Sequence, residues 1–143
     1  YPFHIVQSPS NILMAYEYAS ANRVINMDKP TEAPVDSWMG WSNGKWEGDT
    51  LVVDVKSMNG KAWLSRAGDF TTDNVQVTER FTMTDDDHIN YEATVTDKNV
   101  FSRPWKISLP LYKRVERNAQ LLEFKCVEFA EEMLYGHLRK RYN

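Results

Sequence analysis

Apolar and polar residues alternate in short runs, separated by turn-forming residues, from Phe3 to Val127. A period of two belongs to a strand with one buried face. Many short strands punctuated by Gly, Pro, Asn and Asp fold as an antiparallel meander that closes into a barrel or sandwich. The pattern predicts about eight or nine strands. They fall near Phe3 to Gln7, Ile12 to Tyr18, Arg23 to Met27, Gly44 to Glu47, Thr50 to Val55, Asn74 to Met83, His88 to Thr96, Trp105 to Lys113 and Leu121 to Val127. Between them, Ser8 to Asn11, Ala19 to Asn22, Glu47-Gly48-Asp49 and Asp85-Asp86-Asp87 read as turns. The connections Asp28 to Asn43 and Ser57 to Asp73 have a length at which loops often serve as lids. The first carries Trp38 and Trp41, the second Trp63 and Arg66. Near the end, Phe129, Met133, Leu134 and Leu138 recur at helical spacing, which predicts an amphipathic helix over about 128–140 packed on the sheet. The expected fold is all-β, a single antiparallel calycin or lipocalin-like β-barrel domain spanning residues 1–143 with a C-terminal α-helix. An open two-sheet sandwich is the alternative.

A chain of 143 residues fits one domain that buries roughly two-thirds of its unfolded surface, so it needs neither metal nor disulfide to fold. With 17 basic against 20 acidic residues the net charge is -3, and basic residues gather only at Arg139-Lys140-Arg141. Nucleic acid is therefore not an expected partner. No apolar run approaches the roughly 20 residues of a membrane helix, so no membrane span is expected. Aromatics make up 13% of the chain, enough to line a pocket as well as fill a core. The lone Cys126, in phase with Leu122 and Phe124, reads as a buried thiol. Because the chain opens on Tyr1 and enters a strand almost at once, it is expected to be a processed product that has shed any targeting signal.

In the strand from Asn74 to Met83, Glu79 occupies the centre of the apolar face formed by Val75, Val77, Phe81 and Met83. A carboxylate there must be paired, hydrogen-bonded or protonated, because burying a bare charge costs several kcal/mol or more. Two readings stand side by side. Glu79 is either a general acid or base inside a cavity or half of a buried ion pair with Arg23 or Arg103. Glu17 shares a face with Leu13 and Ala15, while Ile12, Met14, Tyr16 and Tyr18 form the other. A strand apolar on both sides suits a barrel wall with a cavity on one side and a covering segment on the other. The expected lining of that cavity is Tyr16, Glu17, Arg23, Trp46, Trp63 and Trp105, with Glu79 and Arg103 as the candidate reactive pair.

Other features are weighed in the same way. Gly44-x-Trp46 pairs a glycine expected to turn the chain sharply with a tryptophan that closes one end of a barrel, and Asp49 reads as a turn residue. In Phe101-Ser-Arg-Pro-Trp105, Arg103 suits a carboxylate clamp, or else a surface pair with Asp97 or Glu92. His4, His88 and His137 stand far apart without ligand spacing, and Asp85-Asp86-Asp87 lacks the pattern of a calcium loop, so no metal or cofactor is expected. Nucleophile-elbow, nucleotide-binding and C-x-x-C signatures do not occur.

The runs PFHIVQSP, WMGWSNGKWEGDTLVVDV, AWLSRAGDF, VTERF, YEATVTD, FSRPW and LLEFKC resemble a large group of uncharacterised, exported bacterial proteins across nearly the whole chain. The resemblance implies export to the periplasm or beyond. It also implies that Cys126 lacks a partner because an upstream segment is missing, and it makes Glu79, Trp46, Asp49 and Arg103 the positions that match the group. Its members stop soon after the strand that carries Cys126, so the predicted helix departs from their pattern. The expected function is binding of a small apolar or aromatic molecule in the barrel, with enzyme or carrier left open. As an enzyme it would be a cofactor-independent lyase, isomerase or cyclase with Glu79 as proton-transfer group and Arg103 or Arg23 polarising an oxyanion. The alternatives are a secreted interaction module or assembly subunit without a cavity, including a homo-oligomer, and a metal-binding protein.

Overall fold

The computed structural model describes residues 1–65, 67–122 and 129–138. Eight strands form one sheet: β1 (Phe3–Gln7), β2 (Asn11–Tyr16), β3 (Asn22–Asn26), β4 (Trp41–Glu47), β5 (Thr50–Lys56), β6 (Gln76–Asp85), β7 (His88–Thr96) and β8 (Trp105–Tyr112). They lie side by side in chain order, and the sheet curls into a half-barrel. The alternation read from the sequence is the cause, since each strand turns every second residue toward the concave side.

One junction corrects the expected all-antiparallel meander. Strands β3 and β4 run parallel through Ile25↔Ser42 and Asn26↔Asn43, whereas the other six neighbouring pairs run antiparallel. The long connection after β3 makes this feasible, because a parallel neighbour requires the chain to travel back before pairing. The sheet thus joins a three-stranded meander, β1 to β3, to a five-stranded one, β4 to β8. Among the described residues β1 pairs only with β2 and β8 only with β7, so these eight strands form a half-barrel without a β1–β8 pairing.

The core lies on the concave face. Ile12, Met14, Ile25, Leu51, Val53, Val55 and Phe81 pack there, with Phe3, Tyr16, Met27, Val77, Ile89 and Tyr91 against them. Register accounts for the grouping: Met14 faces Arg23, Val53 faces Glu79, and Phe81 faces Tyr91 on neighbouring strands. Gly44 does not turn the chain. It lies inside β4, where an added Cβ would sit 2.6 Å from Met27 Sδ and 2.7 Å from Ile25 Cγ2. The glycine is there to let β4 approach the side chains of β3.

The long connections are fastened to one another. Ser37 donates its N–H to the Ser57 carbonyl at 3.0 Å, and Asn59 donates to the Ser37 carbonyl at 2.9 Å. Asn43, expected in the first loop, belongs to β4; it accepts the Thr31 N–H and donates to the Thr31 carbonyl, strapping that loop to the convex face. Beyond β8, Leu121 and Leu122 have no regular structure, and the rest of the expected strand Leu121 to Val127, Cys126 included, lies outside the described residues. A helix, α1 (Ala130–Tyr135), and a 3-10 turn (Gly136–Leu138) follow. The expected packing of this helix on the sheet is corrected: Phe129, Met133, Leu134 and Leu138 are exposed.

Candidate functional site

Glu79 is 7% exposed at the centre of the concave face, and Arg23 from β3 is 8% exposed. Arg23 Nη1 donates to Glu79 Oε2 at 2.6 Å, and the Tyr91 hydroxyl donates to Glu79 Oε1 at 2.7 Å. Both carboxylate oxygens are therefore engaged. Arg23 Nη2 points to Met14 Sδ at 3.1 Å, which also receives the Tyr16 hydroxyl at 3.6 Å. Arg23 Nε is buried without a partner among the described residues. Each member arrives by strand register: Tyr16 and Met14 from β2, Arg23 from β3, Glu79 from β6 and Tyr91 from β7.

Electrostatics fix the protonation pattern. Burial lowers the affinity of Arg23 for its proton, but the adjacent Glu79 carboxylate outweighs it and the guanidinium is held above its ordinary range. Burial, and then the charge and hydrogen bond of Glu79, push the Tyr91 phenol far up, so Tyr91 remains a donor. Burial also raises Tyr16, with Arg23 opposing and Glu79 reinforcing the shift. The result is a buried Arg23–Glu79 ion pair flanked by phenols that keep their protons, the paired reading of Glu79. Arg23 is its partner and Arg103 is not.

Where β1 faces the ends of β7 and β8, a cavity of about 760 Å3 opens. Its walls are largely apolar, including Phe3, Ile5, Ile89, Leu111 and Tyr112, with His4, His88 and Asp85 among its polar residues. Neither Glu79 nor Arg23 lines it. The two features adjoin through the cavity's Phe3, whose ring lies 5.5 Å from that of Tyr16, and through Ile89, two residues from Tyr91 on the same strand face. A second hollow of about 650 Å3 lies on the convex side under the strapped loop, with Trp41, Asn43, Lys45, Asp54 and Lys56 among its lining.

No family model, curated protein or solved structure matches the chain. The reading of the site therefore rests on geometry.

The remaining expected site residues are scattered. Trp46 is 53% exposed and Trp63 is 74% exposed, and neither joins the network or lines the β1–β8 cavity. Trp63 instead bridges to Phe70 within its own loop. Trp105 is half-buried at the start of β8, edge-on to Phe101 at 5.8 Å. Arg103 is exposed and pairs with no carboxylate among the described residues; Glu92 pairs with Lys106, and Asp97 is occupied by Thr72 and Asn99. Half-buried Glu17 accepts the Leu122 N–H at 3.1 Å, which ties the chain beyond β8 to the far end of β2. Among the described residues no three His, Cys, Asp or Glu side chains group as metal ligands, and no helix is long and apolar enough to cross a membrane. Sequence reasoning missed Tyr91, although the alternation Ile89, Tyr91, Ala93, Val95 puts it on the same face as Glu79's neighbours. It also missed the pairing of His88 with Asp85 across a hairpin tip it had already located.

Proposed function

We propose that the protein binds a small, largely apolar or aromatic molecule in the cavity between β1 and β8. One observation carries the reading. A cavity of about 760 Å3 falls inside the range of roughly 300–1,000 Å3 typical of small-molecule sites, and its largely apolar surface is interspersed with polar and charged side chains from β1, the β6–β7 tip and the segment after β8. The half-barrel suits a calycin-like binding module, and the family resemblance adds export from a bacterial cell to the proposal.

In this reading the Arg23–Glu79–Tyr91 network is a rigid inner brace beside the ligand. Proton transfer by Glu79 finds no support in the geometry, because both of its oxygens are already bonded and neither Glu79 nor Arg23 lines the cavity. The test is fluorescence titration with 1-aminoanthracene, a small aromatic probe. The expected result is saturable binding that Leu111→Trp weakens at least about tenfold by filling the cavity, while Val24→Ala, on the convex face, leaves it unchanged. Failure of the probe to bind, or binding indifferent to Leu111→Trp, would sink the proposal.

A further inference from the structure

Where the β6–β7 hairpin tip borders the cavity, it carries a histidine with the arrangement of an oriented proton acceptor. At the tip of the β6–β7 hairpin the register shifts between Met83 and Asp85, and Asp85 comes to face His88. Bulges of this kind re-aim side chains and are common beside functional sites. His88 Nδ1 lies 2.6 Å from Asp85 Oδ1. The same carboxylate oxygen accepts the Asp87 N–H at 2.9 Å, so the carboxylate is itself fixed. The Asp87 N–H and then His88 hold the Asp85 carboxyl below its usual range, so it is an acceptor only. Nδ1 must therefore carry the proton in this contact. On the neutral ring Nε2 is then left as an acceptor, the tautomer being set by the bond at the other nitrogen. Edge-to-face packing on Tyr112, with centroids 5.1 Å apart, holds the ring plane.

The plain alternative is a hairpin-tip ion pair, since both side chains are partly exposed. Against it stands the position: His88, Asp85 and Tyr112 all line the apolar cavity. We propose that His88, oriented by Asp85 and Tyr112, accepts a hydrogen bond from the ligand, and that the ligand class is an aromatic molecule bearing a weakly acidic hydroxyl, such as a phenol or naphthol. The inference rests on the cavity reading above and deepens it. Lys113, paired with Asp87 at 3.1 Å, and Arg114 also line the cavity, and a hydroxyl recognised by either of them in place of His88 would keep its advantage in His88→Phe.

Two matched probes separate this inference from the reading beneath it. 2-Naphthol and 2-methoxynaphthalene share a ring system, and only the first can donate a hydrogen bond. Calorimetric titration of the wild-type protein is expected to give 2-naphthol a three- to tenfold advantage, the worth of about one net hydrogen bond. In His88→Phe, which keeps a ring against Tyr112, the ratio of the two affinities is expected to fall to about one. Equal affinities in the wild type, or an advantage that survives His88→Phe, would overturn the role of His88 and leave the cavity standing. Binding of neither probe would overturn both. Nitrogen NMR of the His88 ring gives an independent check that needs no variant: the neutral ring is expected as the Nδ1–H tautomer, and a dominant Nε2–H tautomer refutes the assignment.

Discussion

Arg23 and Glu79 stand 56 positions apart in sequence and 2.6 Å apart in space, and their value lies in being together. Removing one partner leaves a buried charge unmatched, which typically costs about 3–5 kcal/mol, whereas replacing both with apolar residues is often close to neutral. Glu79→Leu is therefore expected to lower unfolding free energy by about 3–5 kcal/mol in urea melts. The double variant Arg23→Met/Glu79→Leu should lose no more than about 2 kcal/mol, chiefly because Tyr91 loses its acceptor. Additive losses in the two single variants would contradict the pairing. Asp97 makes a different case. It is 1% exposed and accepts the N–H groups of Thr72 and Asn99 and the Thr72 hydroxyl. Burial raises its carboxyl, but those bonds outweigh burial and hold it below the ordinary value of 3.8. A carboxyl lowered by folding stabilises the protein above its unfolded pKa, and that contribution disappears as pH falls through the lower folded value. Stability of the wild type should thus fall as pH drops below about 4, and Asp97→Asn should flatten that acid limb while costing about 1–3 kcal/mol at neutral pH. An unchanged acid limb in the variant would refute this.

Strands were the legible part of the sequence because a period of two is a local signal. Phe3–Gln7 and His88–Thr96 coincide with the expected limits, and the other described strands agree at their centres while shifting by a few residues at their ends. The place of Glu79 on the face of Val77 and Phe81 was legible for the same reason, whereas its burial awaited the packing of the whole sheet. Its choice of Arg23 over Arg103 was not, because partner identity depends on which strands are neighbours, and Arg103 lies just ahead of β8 while Arg23 lies in β3. The parallel β3–β4 pairing escaped detection because it is made across a long connection with no turn signature. The tryptophans misled for a related reason: aromatic type marks apolar area, but only the face and the element decide whether it is buried, and Trp46 and Trp63 are exposed. Gly44 belongs to this scale, since it sets how closely β4 lies on β3. Gly44→Ala should cost about 1–3 kcal/mol by overpacking against Met27 and fully buried Ile25, measured by thermal melting. A neutral effect would mean that the two strands have room to separate.

Across the whole molecule, protection is unevenly distributed. The concave faces of β5, β6 and β7 hold Val53, Phe81 and Ala93 in the core, while Ile107 and Leu109 of the terminal strand β8 remain exposed. Native-state hydrogen exchange is expected to be slowest at the amides of β5 and β6, near the global unfolding limit, and faster by orders of magnitude along the edge of β8 that has no partner among the described residues. Uniform protection across the sheet would show that the open edge is covered in solution. The two meanders meet along β3 and β4 through only two ladder positions, so main-chain bonds alone set their alignment weakly. A slip by one residue would turn Arg23 to the convex side and leave Glu79 inside without its cation, at several kcal/mol. Arg23 comes from one meander and Glu79 from the other, so the buried pair serves as a check digit that tells the chain when its two halves have been joined in the correct frame.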